Sequence, residues 1–245
     1  MGNSFSERKH QVGVNCKLRP GDRHPRAYVG PPAQYDFMGA TQFCLLAALG
    51  LREHHSLLDF GCGSLRAGRF LIPYLGPGHY FGVEPNRWLV ESAIEEDLGN
   101  YITDRYKPSF DYNSKFRFDT FGRRFDFIVM QSILSHTGCD LLELALQNAR
   151  DAMSKKTRMI ATIIHENGNP DLLRGQDFSG WRYPECVWYS EEEFRSIAES
   201  KDYLLQKLKW HHPRQTWWLL TLSKDALLDV SEVERYTGYP VQNEI

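Results

Sequence analysis

Leu57-Leu58-Asp59-Phe60-Gly61-Cys62-Gly63-Ser64 constrains this chain more than any other stretch. It reads as a short buried strand, a turn freed by two glycines, and a helix opening at Ser64. That arrangement brings a nucleotide-like ligand to the carboxyl end of a strand. A second apolar run, Tyr80-Phe81-Gly82-Val83, ends in Glu84, 21 residues after Gly63. A carboxylate there can accept hydrogen bonds from both hydroxyls of a ribose.

Gly-x-Gly by itself also marks ordinary tight turns, but two features narrow its meaning here. Asp59, two positions before the first glycine, would face a pyrophosphate unfavourably and suits the ammonium of an amino-acid moiety. Gly68 lies too far along for the Gly-x-Gly-x-x-Gly of dinucleotide sites. Together these features resemble motif I and the acidic second-strand end of class I S-adenosylmethionine (SAM)-dependent methyltransferases, among them bacterial type 11/12-like small-molecule enzymes. The resemblance covers roughly residues 33–223. It implies an α/β, Rossmann-like class I methyltransferase fold: a seven-stranded, mostly parallel sheet with a C-terminal antiparallel hairpin and helices on both faces. It also implies SAM as cofactor, contacted through Asp59, Gly61, Cys62, Gly63, Glu84 and Pro85.

A chain of 245 residues, 42% hydrophobic and 24% charged, is long enough for one α/β domain with a sizeable core and too short for two large ones. Its 29 basic and 31 acidic side chains give a formal net charge of -2 without a long run of either sign. Nucleic acid is therefore not expected as a substrate. Cys16, Cys44, Cys62, Cys139 and Cys186 are odd in number, scattered and without a Cys-x-x-Cys pair. A reducing, cytoplasmic setting suits them. No apolar run approaches membrane-spanning length and the polar N-terminus lacks a signal peptide's apolar core, so no membrane partner is expected. Gly2 with Ser6 matches the N-myristoylation pattern, which has meaning only where the modifying enzyme exists.

Residues 1–35 are polar, hold Pro20, Pro25, Pro31 and Pro32, and read as an arm leading into the fold. A helix is expected from Tyr35-Asp36-Phe37-Met38-Gly39 through Leu49, stopped at Gly50. In class I methyltransferases such a helix often covers the cofactor, so the resemblance makes Tyr35 and Gln42 candidate pocket residues, with packing as the competing role. Leu65 to Leu71 should be helical until Pro73 breaks the helix. Gly76-Pro77-Gly78 turns the chain into the second strand and completes a βαβ unit. Trp88, Leu89, Ala93 and Ile94 mark the next helix, and Pro108-Ser109-Phe110 a third strand. Asp111 and Asn113 follow where methyltransferases commonly contact adenine, although solvated loop residues look the same.

A fourth strand, Phe125 to Met130, runs into Gln131-Ser132-Ile133-Leu134-Ser135-His136. Many bacterial small-molecule methyltransferases carry a similar Phe-Asp-x-x-x-x-x-Ser-x-x-x-His segment, its strand end facing the methyl donor. Gln131 and Ser132 join the implied cofactor set on that ground. Asp140 with Glu143 suggests a helix cap, and Arg158 to Ile164 a fifth strand. The insertion 165–189, rich in aromatics, precedes a helix near Ser190 that Glu193 would cap. Its length and composition point to a substrate lid carrying Trp181 and Tyr183, or to packing over an exposed sheet end. Tyr203 to Trp210 and Thr216 to Ser223 form the last two β-rich runs. Under class I topology their hairpin brings His212 and Arg214 to the cofactor's edge of the sheet. The expected division is an arm 1–35, a methyltransferase domain 36–223, and a polar tail 224–245 with one short helix over Ala226 to Val233.

Methyl transfer from a sulfonium is an in-line displacement, in which positioning and exclusion of water supply most of the acceleration. A hydroxyl acceptor needs a base, and His136 at the end of the fourth strand is the first candidate. His165 and His212 are its rivals, and each histidine equally suits fixing a turn or capping a helix. Metal-dependent catechol-type enzymes place an aspartate where this chain has Gln131-Ser132, so no divalent metal is expected. The Asn/Asp-Pro-Pro-Tyr/Phe signature of nucleobase and glutamine-amide methyltransferases is missing too. That favours an oxygen acceptor, a hydroxyl or carboxyl of a natural product or sugar, with Arg214 pairing to an anionic group. A nicotinamide-dependent oxidoreductase would share the strand–glycine–helix and Glu84, and a SAM-binding protein without turnover would share all of it.

Overall fold

Parallel strands buried on both faces need apolar side chains at successive positions, and β1 (Leu57–Phe60) and β2 (Tyr80–Val83) are buried at every residue. The computed structural model describes residues 18–238 apart from 167, 168 and 170. The Gly2–Ser6 acylation pattern and Cys16 lie outside the described residues. The remaining strands are β3 (Ser109–Asp111), β4 (Phe125–Met130), β5 (Met153–Ile163), β6 (Leu173–Arg174), β7 (Val187–Trp188), β8 (Leu204–Leu208) and β9 (Thr216–Thr221). Seven of them form one sheet in the order β3-β2-β1-β4-β5-β9-β8. All pairings from β3 to β5 are parallel, whereas β9 runs antiparallel to both β5 and β8. The strand order reverses between β1 and β4, so the crevice for a ligand opens at the carboxyl ends of those strands.

The helices are α1 (Pro25–Tyr28), α2 (Tyr35–Ala48), α3 (Gly68–Tyr74), α4 (Arg87–Ala93), α5 (Asn100–Tyr106), α6 (Cys139–Ala149), α7 (Glu191–Glu199) and α8 (Val230–Arg235). Side chains alternate across the sheet with period two and divide the core accordingly. On one face Leu57, Tyr80, Val129, Trp217 and Leu219 pack with Leu45 and Leu46 of α2, Leu71 of α3 and Val90 of α4. On the other, Leu58, Phe81, Ile128, Trp218 and Leu220 pack with Leu142 and Leu146 of α6 and Phe194 of α7. The adjacent tryptophans of β9 thus serve opposite layers.

Local signals work where the partners are local. Gly50 takes φ 93° just past α2 and stops it, and Ser190 and Glu193 complete the capping box of α7. Four expectations change. The helix after the glycine turn starts at Gly68, because Leu65 adopts φ 54° and its N–H closes a turn on the Cys62 carbonyl. It also continues one residue beyond Pro73, since only its last turn loses a hydrogen bond there. Asp140 and Glu143 form no cap: Gly138 is the N-cap, Asp140 accepts from the Gly180 N–H at 2.8 Å, and Glu143 pairs with Lys201. Residues 224–238 contain a 3-10 turn (Lys224–Ala226), packed on β5, and α8 instead of one helix, and Leu228 between them is tied to β8. There the Gln206 side chain donates to the Leu228 carbonyl and accepts from its N–H, each at 2.7 Å.

Candidate functional site

A cavity of about 160 Å³ sits where the sheet order reverses. Its walls come from Asp59 of β1 and from the segments following β1 (Gly61, Cys62, Arg66), β2 (Asn86) and β4 (Gln131, Ser132, Ile133, His136). Tyr28 to Pro31 from the arm and Met38 and Gln42 of α2 close one side. Trp181, Tyr183, Pro184 and Cys186 from the insertion and His212 and Arg214 from the β8–β9 hairpin close another.

The turn after β1 works by close approach. Gly61 has φ 79°, and a Cβ there would lie 2.0 Å from Ile133 Cδ1. Gly63 has φ 55°, with Val29 Cγ1 2.6 Å from the corresponding position. Its N–H donates to Glu84 Oε2 at 3.1 Å, while Glu84 Oε1 accepts from the Asn86 N–H and side-chain amide. Burial raises the Glu84 pKa against those donors. Glu84 thus braces the glycine turn; Asn86, not Glu84 or Pro85, forms the cavity wall at the end of β2.

Asp59 is 4% exposed and its Oδ2 accepts from the Tyr80 hydroxyl at 2.8 Å. Burial pushes its pKa up to about 6, opposed by that hydrogen bond and by the nearby Arg66 guanidinium. Arg66 donates to the Val29 carbonyl at 2.9 Å, and among the described residues it joins no ion pair. Sequence reasoning missed it, although a basic residue three positions past Gly63 at the mouth of the turn was a readable signal. The arm was missed as well: Tyr28 and Val29 are cavity wall, and the Tyr183 hydroxyl donates to the Tyr28 carbonyl, tying arm to insertion.

The three candidate histidines differ in what their ring nitrogens do. His165 Nδ1 donates to the Tyr189 carbonyl at 2.9 Å and its Nε2 accepts from Trp218 at 3.1 Å, so it packs β9 against the insertion away from the cavity. His212 Nδ1 accepts from the N–H groups of Arg214 (3.2 Å) and Gln215 (2.9 Å), which leaves its proton on Nε2 facing Gln131. His136 Nδ1 donates to the Glu185 carbonyl at 2.6 Å, leaving Nε2 with a lone pair, and its ring packs beside those of Trp181 and Tyr183. Burial lowers the His136 pKa to about 4, with Arg214 adding to the effect. Burial, Arg66 and Arg214 lower that of His212 to about 3.

Two further expected cofactor residues stand back from the cavity. Tyr35 donates to the Ser64 carbonyl at 2.9 Å and supports the turn from beneath. Asn113 binds Asp111 and the N–H groups of Lys115 and Arg117, fixing its own loop. Ser132, by contrast, lines the cavity at φ 59°, held by an N–H bond to Thr162 and a bond from Gln215 to its hydroxyl. A non-glycine residue kept in that region by its surroundings is common at ligand sites.

The strand order, the glycine turn and a cavity at the switch point define a Rossmann-like protein built to hold a nucleotide-type cofactor. Residues 33–208 match the family described as "Methyltransferase domain", and the chain belongs to that family. No curated protein matches its sequence. Solved structures share the fold at low identity. Magnesium protoporphyrin IX methyltransferase from Synechocystis PCC 6803, with bound S-adenosylhomocysteine (SAH), is 12% identical over 78% of this chain and 84% of its own, with a TM-score of 0.56. A SAM-dependent methyltransferase from Clostridium acetobutylicum ATCC 824 is 13% identical over 78% and 94%, TM-score 0.58. A glycopeptide N-methyltransferase complexed with SAM is 10% identical over 75% and 94%, TM-score 0.57.

Proposed function

We propose that this protein binds SAM at the carboxyl edge of β1, β2 and β4 and transfers its methyl group to an oxygen of a small molecule. The observation that carries the reading is that Asp59 and Arg66 line the same cavity as His136, Trp181 and Tyr183. A methionyl end carries an ammonium and a carboxylate; Asp59 suits the first and Arg66 the second. Glu84, with a lone pair left on Oε2, suits a ribose hydroxyl beside the turn. SAM supplies the electrophilic methyl carbon.

The chain's own residues position and enclose. Trp181 and Tyr183 offer ring faces to a planar or sugar acceptor, and the tie between Tyr183 and Tyr28 keeps water from the cavity. Of the two candidate histidines lining the cavity, His136 presents a ring nitrogen with a lone pair and His212 an N–H. A conjugate acid near 4 makes His136 a weak base at neutral pH, so we assign it to orienting the acceptor through Nε2. A cytoplasmic setting and a small-molecule partner belong to the same reading.

Calorimetric titration of the full chain with SAH, in parallel with NAD, tests the cofactor. Binding of SAH alone supports the reading; binding of NAD alone replaces it with a nicotinamide-dependent oxidoreductase. SAH binding without methyl transfer to any acceptor in a broad screen of hydroxyl and carboxyl compounds would favour a binding protein without turnover.

A further inference from the structure

The second wall of the cavity carries donors and lacks a base. Arg214 reaches it from the β8–β9 hairpin, and among the described residues no carboxylate pairs with it. His212 is locked as an Nε2–H donor, because two backbone N–H groups occupy its Nδ1. Gln131 stands 3.5 Å from that nitrogen and, with the proton there, can meet it only through its amide oxygen. Among the described residues Asp59 is the one carboxylate lining the cavity, and it is engaged by Tyr80. Tyr183, the phenol that the insertion brings to the cavity, donates to the Tyr28 carbonyl.

From this juxtaposition we infer that the acceptor is a carboxylate, held by Arg214 with the His212 Nε2–H as second donor, and that the product is its methyl ester. The inference rests on the methyltransferase reading above and narrows it. A carboxylate arrives already ionised, so no proton has to be taken from it, and the weakness of His136 as a base ceases to matter. One carboxylate oxygen forms the bond to the methyl carbon as the carbon–sulfur bond breaks. The electron pair stays on sulfur, so carboxylate and sulfonium charges cancel, giving a neutral ester and a neutral thioether. Guanidinium suits this task because its planar donors match a carboxylate and cannot themselves lose a proton.

The test uses the full chain saturated with SAH and two matched probe pairs, benzoate with benzyl alcohol and glucuronate with glucose. Calorimetry is expected to show at least one carboxylate binding about tenfold tighter than its neutral partner. That margin collapses in Arg214→Gln and is partly restored in Arg214→Lys, while SAH affinity stays within about twofold of wild type in both. With methyl-tritiated SAM, the label on any product is released as volatile methanol by alkali, as esters require and ethers do not allow. Equal binding within both pairs, an unchanged margin in Arg214→Gln, or label stable to alkali overturns the inference. Failure of SAH to bind is a different result and removes the methyltransferase reading with it.

Discussion

The Tyr80 hydroxyl at the start of β2 donates a 2.8 Å hydrogen bond to the buried carboxylate of Asp59 in β1. Burial raises the Asp59 pKa to about 6 even so. An ammonium-binding carboxylate must be ionised, so SAH affinity is expected to fall about tenfold as pH drops from 7.5 to 5. Tyr80→Phe removes a donor to the charged form and moves that fall to higher pH, at a cost of about 0.5–1.5 kcal/mol in binding at pH 7. Calorimetry across this range checks both; a flat profile would detach Asp59 from the cofactor.

Gly61 and Ile133 approach too closely for any side chain at position 61. Gly61→Ala combines that clash with a positive φ, and should destabilise the fold by about 1–3 kcal/mol and abolish SAH binding. Adding Ile133→Ala opens the space and is expected to recover part of the stability in thermal denaturation. No recovery would show the backbone conformation alone to be limiting.

Tyr183 and Tyr28 tie the insertion to the arm across the cavity mouth. Tyr183→Phe removes one half-buried hydrogen bond, about 0.5–1.5 kcal/mol. SAH should then leave roughly three- to tenfold faster in stopped-flow displacement, with the melting temperature nearly unchanged. An unaltered release rate would mean that the mouth opens elsewhere.

His136 and His212 are held neutral when folded, with pKa values of about 4 and about 3 against an ordinary value of 6.5. A depressed folded pKa gives stability that is present above the unfolded value and lost as pH falls through the folded one. Asp59 has the opposite sign: its contribution is full below about 3.8 and is lost as pH rises through about 6. Denaturant titrations should therefore show the histidine loss below pH 6.5, and His136→Gln should shrink it by up to ~3 kcal/mol. An acid limb identical in this variant would contradict the buried, neutral ring.

Much of the architecture was legible in the chain. Leu57 to Ser64, Tyr80 to Glu84 and Phe125 to Met130 announced three parallel strands and their turns, because burial on both faces demands unbroken apolar runs and the turn demands glycine. Ser190 and Glu193 announced a helix start for an equally local reason, a side chain satisfying backbone N–H groups three residues away. The same pattern pointed in advance to the family and to the carboxyl end of the first strand.

Only the tertiary structure decided what each candidate side chain faces. His136, His165 and His212 look alike as residues, yet Trp218, the Arg214 and Gln215 N–H groups and the Glu185 carbonyl assign their ring nitrogens differently. Tyr35 went beneath the turn instead of into the cavity, while Arg66 and the arm at Tyr28 and Val29 became wall. These outcomes depend on partners distant in sequence, such as Val29 against Gly63 and Tyr183 against Tyr28. Periodicity and spacing record which face of an element is buried; which atoms meet there is set by how the elements pack.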